Sequence, residues 1–598
     1  MPVRIVDIGM KVLGISGLEN SVHFKKTKLR AADEREYRIS QGHDSAAALI
    51  VDGKIVAAAA EERFNRVKHS GAFPIGAIRY CLEEAGLDIE ELDEIAHSFN
   101  YSGWRHVFSM NPESAELYQE VFSREALLKL VKRDLPRYPL DRVTQVSHHL
   151  AHAASAYFTS GWDQCLVVVI DGMGEADGAT VFAASNGELK RIHRIPANDS
   201  IGIFYSLVTL HLGFDFNSDE YKIMGLAPYG DRSRFRNFFS NSALLKEDGS
   251  FSIPLLHLNK TSAERETYLA TRQWFADNLV KERQPDDEIT FIHEDVAAGL
   301  QECLDKTVLH LCGHFARKTG LRRLAMAGGV ALNCTANGRL LESGLFDEIY
   351  VQPAAGDDGS ALGAALFRAS RRGSINNKRM PVPFLGPAHS MEKIDAALRD
   401  FGDRITAHCF KDINETARKA AELMAAGRVI AWHRGRMEFG PRALGHRSIL
   451  ADPSRPEMRD RINAMVKMRE AFRPFAPAVT IEEAPKWFNL PGAKEQPYMI
   501  MTVNVKEEYR HVLPAVTHVN GSARIQTVSK TDNADFHCLL KAMGAATGRE
   551  IVLNTSFNVK GQPIVNTPRE ALETYLGTGI DHLFIEDLLI TRRSATPR

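Results

Sequence analysis

Two histidines four residues apart, and an aspartate at the end of an apolar run, are the residues here whose types and spacing best suit chemistry. His148 and His152 lie in the Ala-rich stretch 147–160, which reads as a short helix closed by a turn at Ser160-Gly161. On a helix that interval puts both imidazoles on one face. Asp171 follows the apolar run 165–170, which predicts a buried strand delivering its carboxylate at the sheet's carboxyl edge. Two imidazoles and a carboxylate on rigid elements suit a borderline divalent metal such as iron or zinc. Asp357, in AAGDDGSALGAAL ahead of an Ala-rich helix, is the candidate fourth ligand. Each residue has an ordinary alternative: a polar helical pair, a turn at Asp171-Gly172, an acidic helix cap at Asp357. His149 reads as a bystander.

A second chemistry is signalled by cations. Between His433 and Phe475 lie ten Arg or Lys against five acids, many interleaved with Gly, Pro and Phe. That pattern suits a small phosphorylated ligand, because Arg binds phosphate as a fork and Lys as a point charge. Arg442, Arg447, Lys467 and Arg473 belong to it. His518, Ser522 and Arg524 in a segment read as an extended loop, and Asn554, Ser556 and Asn558 after an apolar run, supply further groups for a nucleotide.

These residues need a frame. Residues 10–16 predict a first strand, and the polar, basic segment 24–40 a surface loop or insertion. Apolar runs at 45–51 and 54–60 flank Asp52-Gly53, a strong hairpin signal. The same plan returns at 177–195 around Asn186-Gly187, which suggests an internal duplication. A duplicated α/β domain with a cleft between its halves is the plan of the sugar-kinase and actin-like ATPase superfamily. A long amphipathic helix over 295–319 leads into a strand and Gly328-Gly329, whose turn lets a ligand approach the backbone and offers helix-start N–H groups. With Asn333 it fits the adenosine-binding turn of that superfamily. A helix over 569–576 and a strand over 582–590 close the chain. The basic, then Pro-rich stretch 371–387 is the best linker. The expected division is a first domain over 1–375, a linker over 376–387 and a second domain over 388–598.

With 598 residues the chain should hold more than one core. Its 44% apolar and 25% charged content is that of a soluble globular protein, and a net charge of -1 draws it to neither nucleic acid nor membrane. The seven cysteines are scattered without a C-x-x-C pair, which argues against zinc fingers and a disulfide framework. The opening residues lack a signal-peptide pattern and no apolar run is long enough to span a bilayer, so a cytoplasmic location is expected.

The motifs GHDSAAAL, EERFNRVKH, HHLAHAASA, IDGMGE, EYKIMGLAPYG, GGVALN and GDDGSALGAAL, followed by MEFGPRALGHRSILADP, VKMREAFRPFAP, THVNGSARIQTV and LNTSFNVKGQPIV, cover nearly the whole chain in one order. Together they resemble the NodU/CmcH family of O-carbamoyltransferases. The resemblance implies an N-terminal actin/sugar-kinase-like (ASKHA) domain and a C-terminal YrdC-like α/β domain. It implies that the second makes carbamoyl adenylate from ATP, with Mg2+, and carbamoyl phosphate, and that the first, holding Fe2+, passes the carbamoyl group to a hydroxyl of a small molecule. By the same resemblance His148, His152, Asp171 and Asp357 would be the metal ligands, and His43 and Lys68 would stand at the transfer site. Gly328, Gly329 and Asn333 would hold the adenylate, and Arg442, Arg447, Lys467, Arg473, His518, Arg524 and Ser556 the ATP and carbamoyl phosphate. Segment 18–42 is longer than the connection expected of simple members and could border the acceptor pocket.

Three other readings compete. Carbamoylation of a protein or tRNA, as in HypF-type chains, would bring C-x-x-C pairs and the reverse domain order. A sugar kinase would leave the basic second half and the metal set unexplained. A nucleotide-binding module without turnover would not need two complementary sites. The acceptor and the oligomeric state are not written in the sequence.

Overall fold

The computed structural model describes residues 10–28, 34–373, 375, 380, 383–467, 470, 472–491 and 495–593. The chain is α/β, and its first part repeats one topology. Strands β1 (Lys11–Ile15), β2 (Ala46–Val51), β3 (Lys54–Ala60), β4 (Glu94–His97) and β5 (Val143–Gln145) form a sheet in the order β3-β2-β1-β4-β5. The first three make an antiparallel meander, with Leu13 opposite Leu49; β4 and β5 continue it in parallel. Asp52 and Gly53 turn the hairpin with φ of 53° and 72°, the left-handed pair a two-residue turn requires.

Strands β6 (Gln164–Gly174), β7 (Asp177–Ser185) and β8 (Glu188–Pro196) repeat the meander. Arg323–Ala327 and Glu348–Val351 extend β6 in parallel as β4 and β5 extend β1. The duplication suggested by the two hairpins is therefore a duplication of whole sheets.

Helices His148–Ser160 and Asp357–Ser370 pack on each other, and the second also lies on β1 and β2. They approach without side chains between them. A Cβ on Gly363 would lie 1.7 Å from the Ala151 carbonyl oxygen, and one on Gly14 would lie 1.9 Å from that of Ala361. Glycine is the residue that permits backbone contact of this kind.

The second part is an eight-stranded mixed sheet. Its order is Ile405–Cys409, Leu588–Arg592, His582–Ile585, Ile430–His433, Arg447–Ala451, Ile551–Ser556, Ala476–Thr480 and Gln526–Val528. A smaller sheet of Phe488–Asn489, Thr502–Val505 and Ser522–Arg524 stands beside it. One hydrophobic core runs through both parts, from Val12 to Ile590. Polar bonds stitch the seam: Arg63 donates to the Gly440 carbonyl (3.1 Å), Arg66 to that of Ile564 (2.8 Å), Asn337 to that of Ile500 (2.9 Å) and Arg436 to that of Val56 (3.0 Å).

Four local expectations change. The polar segment expected as a loop contains a helix, Asn20–Lys28, whose Phe24 is buried. Asp171 does not end its strand: β6 continues to Gly174 through an irregularity in its pairing after Ile170. The closing strand is a hairpin, turned at Glu586 with φ of 49°. Segment 517–528, read as an extended loop, supplies two strands. Residues 374, 376–379 and 381–382 of the expected linker lie outside the described residues.

Candidate active site

His148, His152, Asp171 and Asp357 meet, with one ligating atom from each within 4.8 Å of all the others. Helix His148–Ser160 aims both Nε2 atoms at one point, 3.0 Å apart. The bulged β6 brings Asp171 Oδ2 to 3.4 Å from His148 Nε2. The first residue of helix Asp357–Ser370 brings Asp357 Oδ1 to 3.3 Å from His148 Nε2 and 3.7 Å from His152 Nε2. Tetrahedral ligands at zinc-like bond lengths stand about 3.3 Å apart, so the spacing fits a divalent ion.

The surroundings fit it too. His148 Nδ1 donates to the Ser98 carbonyl (3.1 Å), which leaves Nε2 as the lone-pair nitrogen. Phe99 stacks on the same ring at 4.0 Å. Burial by itself would push His148 down, but Asp357 and Asp171 overcome it and lift the imidazole to about 10. Burial would likewise raise both carboxyls, and the histidines hold them low. The four groups thus demand a positive charge among them, which a metal ion would supply. His149 faces away, its Nδ1 2.7 Å from Thr180 Oγ1.

Asp171 and Asp357 open onto a cavity of about 820 Å³. His43 and Lys68 line it as well. His43 Nε2 lies 3.0 Å from Ser40 Oγ, and burial pushes its pKa below 6.5, so the imidazole is neutral at neutral pH. Burial also lowers the Lys68 ammonium, against the pull of Glu62 and Asp219. Beside them is a pair that sequence reasoning missed. His69 Nδ1 donates to Asp44 Oδ1 at 2.9 Å, and both residues hold left-handed backbones, with φ of 55° and 52°. Two non-glycine residues strained face to face are an observation of the fold; the sequence showed only that an Asp follows His43 and a His follows Lys68.

The same cavity also has a basic stretch. Arg442 and Arg473 line the cavity, and the charge of Arg524 bears on Arg442. Arg473 stacks over Tyr221 at 4.4 Å, and Lys68 approaches the same ring at 5.9 Å. Burial, then the repulsion of Arg524, pushes Arg442 down to about 9. Its Nε has no hydrogen-bond partner among the described residues. Burial lowers Arg524 likewise. Buried guanidinium groups repelling one another form a cradle for an anion.

The remaining predicted residues divide. Asn333 and Ser556 line the cavity; Asn333 caps helix Cys334–Glu342 and exchanges hydrogen bonds with Gln301, and Ser556 donates to Asn558 Oδ1 at 2.7 Å. Gly329 of the glycine turn lines the cavity beside Asn333. Gly329 N–H donates to Asp171 Oδ1 (3.0 Å) and Gly328 N–H to the Ala355 carbonyl (2.8 Å). Both donors serve the frame, and the turn orients a candidate metal ligand. Arg447 does not reach the cavity: it is fully buried and donates to the carbonyls of Arg434, His446, Pro387 and Gly435. His518 is buried outside the cavity lining, edge-on to Tyr229 and 3.3 Å from the Phe472 carbonyl. Lys467 ends the helical turn Asn463–Lys467, and its side chain is not among those described. Among the described residues no helix is long and apolar enough to cross a membrane.

Comparison with known proteins agrees with the order of the motifs. Residues 38–102 and 108–366 match the family model for the carbamoyltransferase N-terminus, and 421–592 that for the carbamoyltransferase C-terminus. The nodulation protein NolNO of Sinorhizobium fredii is 40% identical over 563 residues, covering 93% of this chain and 80% of its own. The 3'-hydroxymethylcephem-O-carbamoyltransferase of Streptomyces clavuligerus is 37% identical over 244 residues, 41% of this chain and 44% of its own. Among solved structures, HypF of T. kodakarensis aligns at a TM-score of 0.28 and 15% identity, covering 62% of this chain and 50% of its own.

Proposed function

Since this chain belongs to the carbamoyltransferase family, we propose that it is an ATP-dependent O-carbamoyltransferase with a small-molecule alcohol as acceptor. The observation that carries this reading is that one cavity is lined by Asp171, Asp357, His43 and Lys68 together with Arg442, Arg473 and Ser556. Water hydrolyses carbamoyl phosphate to carbamate and inorganic phosphate, and the carbamate oxygen attacks the α-phosphorus of ATP. Pyrophosphate leaves and carbamoyl adenylate remains. Arg442 and Arg473 hold the phosphates and offset the charge that develops as pyrophosphate departs. The acceptor hydroxyl then attacks the carbamoyl carbon, AMP leaves, and a carbamate ester forms. His43, neutral at pH 7, takes the hydroxyl proton. Lys68, beside Arg473 across Tyr221, holds the adenylate phosphate.

His148, His152, Asp171 and Asp357 would hold the metal, iron in our reading, which when bound supplies a Lewis acid for the carbamoyl or phosphate oxygens. Gly329 N–H and the Ser98 carbonyl keep Asp171 and His148 in place for it. Carbamoyl adenylate formed beside the arginines can reach the transfer groups within the same cavity.

The test is pyrophosphate release from ATP in the purified chain without acceptor. Release should require carbamoyl phosphate, be lost in Arg442→Ala and survive in His148→Ala. Release that is independent of carbamoyl phosphate, or that persists in Arg442→Ala, contradicts the assignment.

A further inference from the structure

One lobe of the cavity is not needed for ATP or carbamoyl phosphate. It is walled by helix Asn20–Lys28 and by residues 107–122, through Phe24, Val107, Phe108, Met110, Leu117 and Phe122. An aromatic ladder joins it to the metal cluster. Phe99 stacks on His148 at 4.0 Å and lies 6.3 Å from Tyr101, and Tyr101 stacks on Phe122 at 4.2 Å. Phe108 closes on Phe122 at 5.4 Å. The ladder lies beneath the cavity wall, with Phe99 and Tyr101 buried, and packs the lobe's Phe122 against the layer that holds His148. At the rim Met110 is 79% exposed and Val107 43%. Adjacent exposed large apolar residues at a cavity mouth mark a ligand-contacting surface more than isolated ones would.

Several charged and polar side chains of the lobe are already engaged. Lys25 is buried; its ammonium donates to the carbonyls of Ile39 and Glu266 and pairs with the Glu266 carboxylate at 3.3 Å. Arg265 donates to the carbonyls of Asn259 (3.3 Å) and Lys260 (3.2 Å). The Asn111 side chain caps its own helix by accepting from Glu113 N–H at 2.9 Å. Most of what remains for a bound molecule is hydrocarbon and aromatic face, with Ser21 and Ser114 beside it. Two of the lobe's residues, Phe24 and Val107, fall where the family model does not match, whereas Phe108, Met110, Leu117 and Phe122 lie within the matched range.

We propose that this lobe binds the acceptor, and that the acceptor is an uncharged alcohol with an apolar body, its hydroxyl directed toward Asp171 and Asp357, which line the same cavity. The assignment of the occupant as acceptor rests on the carbamoyltransferase reading; its apolar, uncharged character rests on the lobe alone.

The probes are the n-alkan-1-ols from butanol to decanol, with methyl glucoside and glucosamine as polar comparators. Equilibrium binding to the full chain is measured by titration calorimetry, and carbamate ester formation by mass spectrometry with ATP and carbamoyl phosphate present. Affinity should rise about three- to fourfold per methylene. The longest alcohols should bind at least tenfold more weakly to Phe108→Asp and to Met110→Asp. Met110 is mostly exposed, so its variant tests the lobe even if Phe108→Asp fails to fold; the unfolding temperature checks both. Binding independent of chain length, a length dependence unchanged in both variants, or preference for glucosamine over octanol overturns the proposal. Acceptor-free pyrophosphate release in the wild type reads the underlying reaction separately. If release is absent while graded binding and its loss in the variants hold, the carbamoyltransferase reading falls and the apolar ligand site stands.

Discussion

Removing the charge of Arg442 should stabilise the chain without ligand and abolish its grip on pyrophosphate. The guanidinium is pushed from 12.5 to about 9 by burial and then by Arg524. A shift of that size is worth about 5 kcal/mol at 1.36 kcal/mol per unit. The side chain borders an open cavity, and solvent screening reduces the figure to about 2 kcal/mol. The sign follows from linkage: the folded value lies below the unfolded one, so the charged form is disfavoured in the folded chain. The cost is present in full below pH 9 and disappears only as the pH rises from there toward 12.5. Between pH 6 and 8 it is constant, and an anion or a mutation is the way to relieve it.

Arg442→Met keeps the stem and removes the charge, so the variant should melt above the wild type by an amount that does not change across that pH range. Pyrophosphate at a hundred times its Kd should stabilise the wild type by about 2.7 kcal/mol. Thermal unfolding followed by fluorescence reads both. In Arg442→Met the affinity for pyrophosphate should fall at least tenfold. A variant that melts lower than the wild type and binds pyrophosphate within twofold of it would refute the reasoning, since Arg442 would then be a structural cation with no ligand to hold.

Other consequences can be checked as directly. His148→Ala, or dialysis against a strong chelator, should remove the bound divalent metal, read by elemental analysis, and abolish transfer while leaving acceptor-free pyrophosphate release. His43→Asn should slow single-turnover transfer from preformed carbamoyl adenylate by about 10² to 10⁴-fold, the usual range for a proton acceptor. Because burial lowers His43, the wild-type rate should be flat near neutrality and fall only as the pH drops below 6.5. Gly363→Ala should destabilise the fold by more than about 3 kcal/mol, as overpacking at backbone contact does, and should also lower metal affinity because it pries the helix of Asp357 from the helix of His148. A Gly363→Ala chain with unchanged metal content and melting temperature would contradict the packing described here.

The metal-competent tetrad was legible because its information is local: a four-residue interval on a helix, a carboxylate after an apolar run, an aspartate at a helix start. The repeated hairpin likewise announced the duplicated sheet. What the sequence hid depends on distant parts of the fold. Arg442 and Arg447 sit five residues apart in one basic run, yet one borders the cavity and the other is spent on four carbonyls. The count of cations is the same for both; Arg442 lies in the loop before the strand that Arg447 begins, and that placement decides. The Asp44–His69 pair joins residues from two loops through strained backbone, for which no side-chain pattern stands. Helix Asn20–Lys28 was read as a loop because its composition is polar and basic. It gains its hold from Phe24 and from the charges of Lys25 and Lys28 against Glu266 and Glu116.

The hydrogen-bonded seam also bears on how such a chain can change over generations. Arg63, Arg66, Asn337 and Arg436 each satisfy carbonyls belonging to the other half, and a single core runs beneath them. Neither half can drift, be exchanged or be shed without baring groups in its neighbour. The rim formed by helix Asn20–Lys28 and residues 107–122 carries none of these bonds. Variation there is cheap, whereas variation at the seam is not, and a lineage can alter what the chamber admits while the machinery behind it is inherited whole.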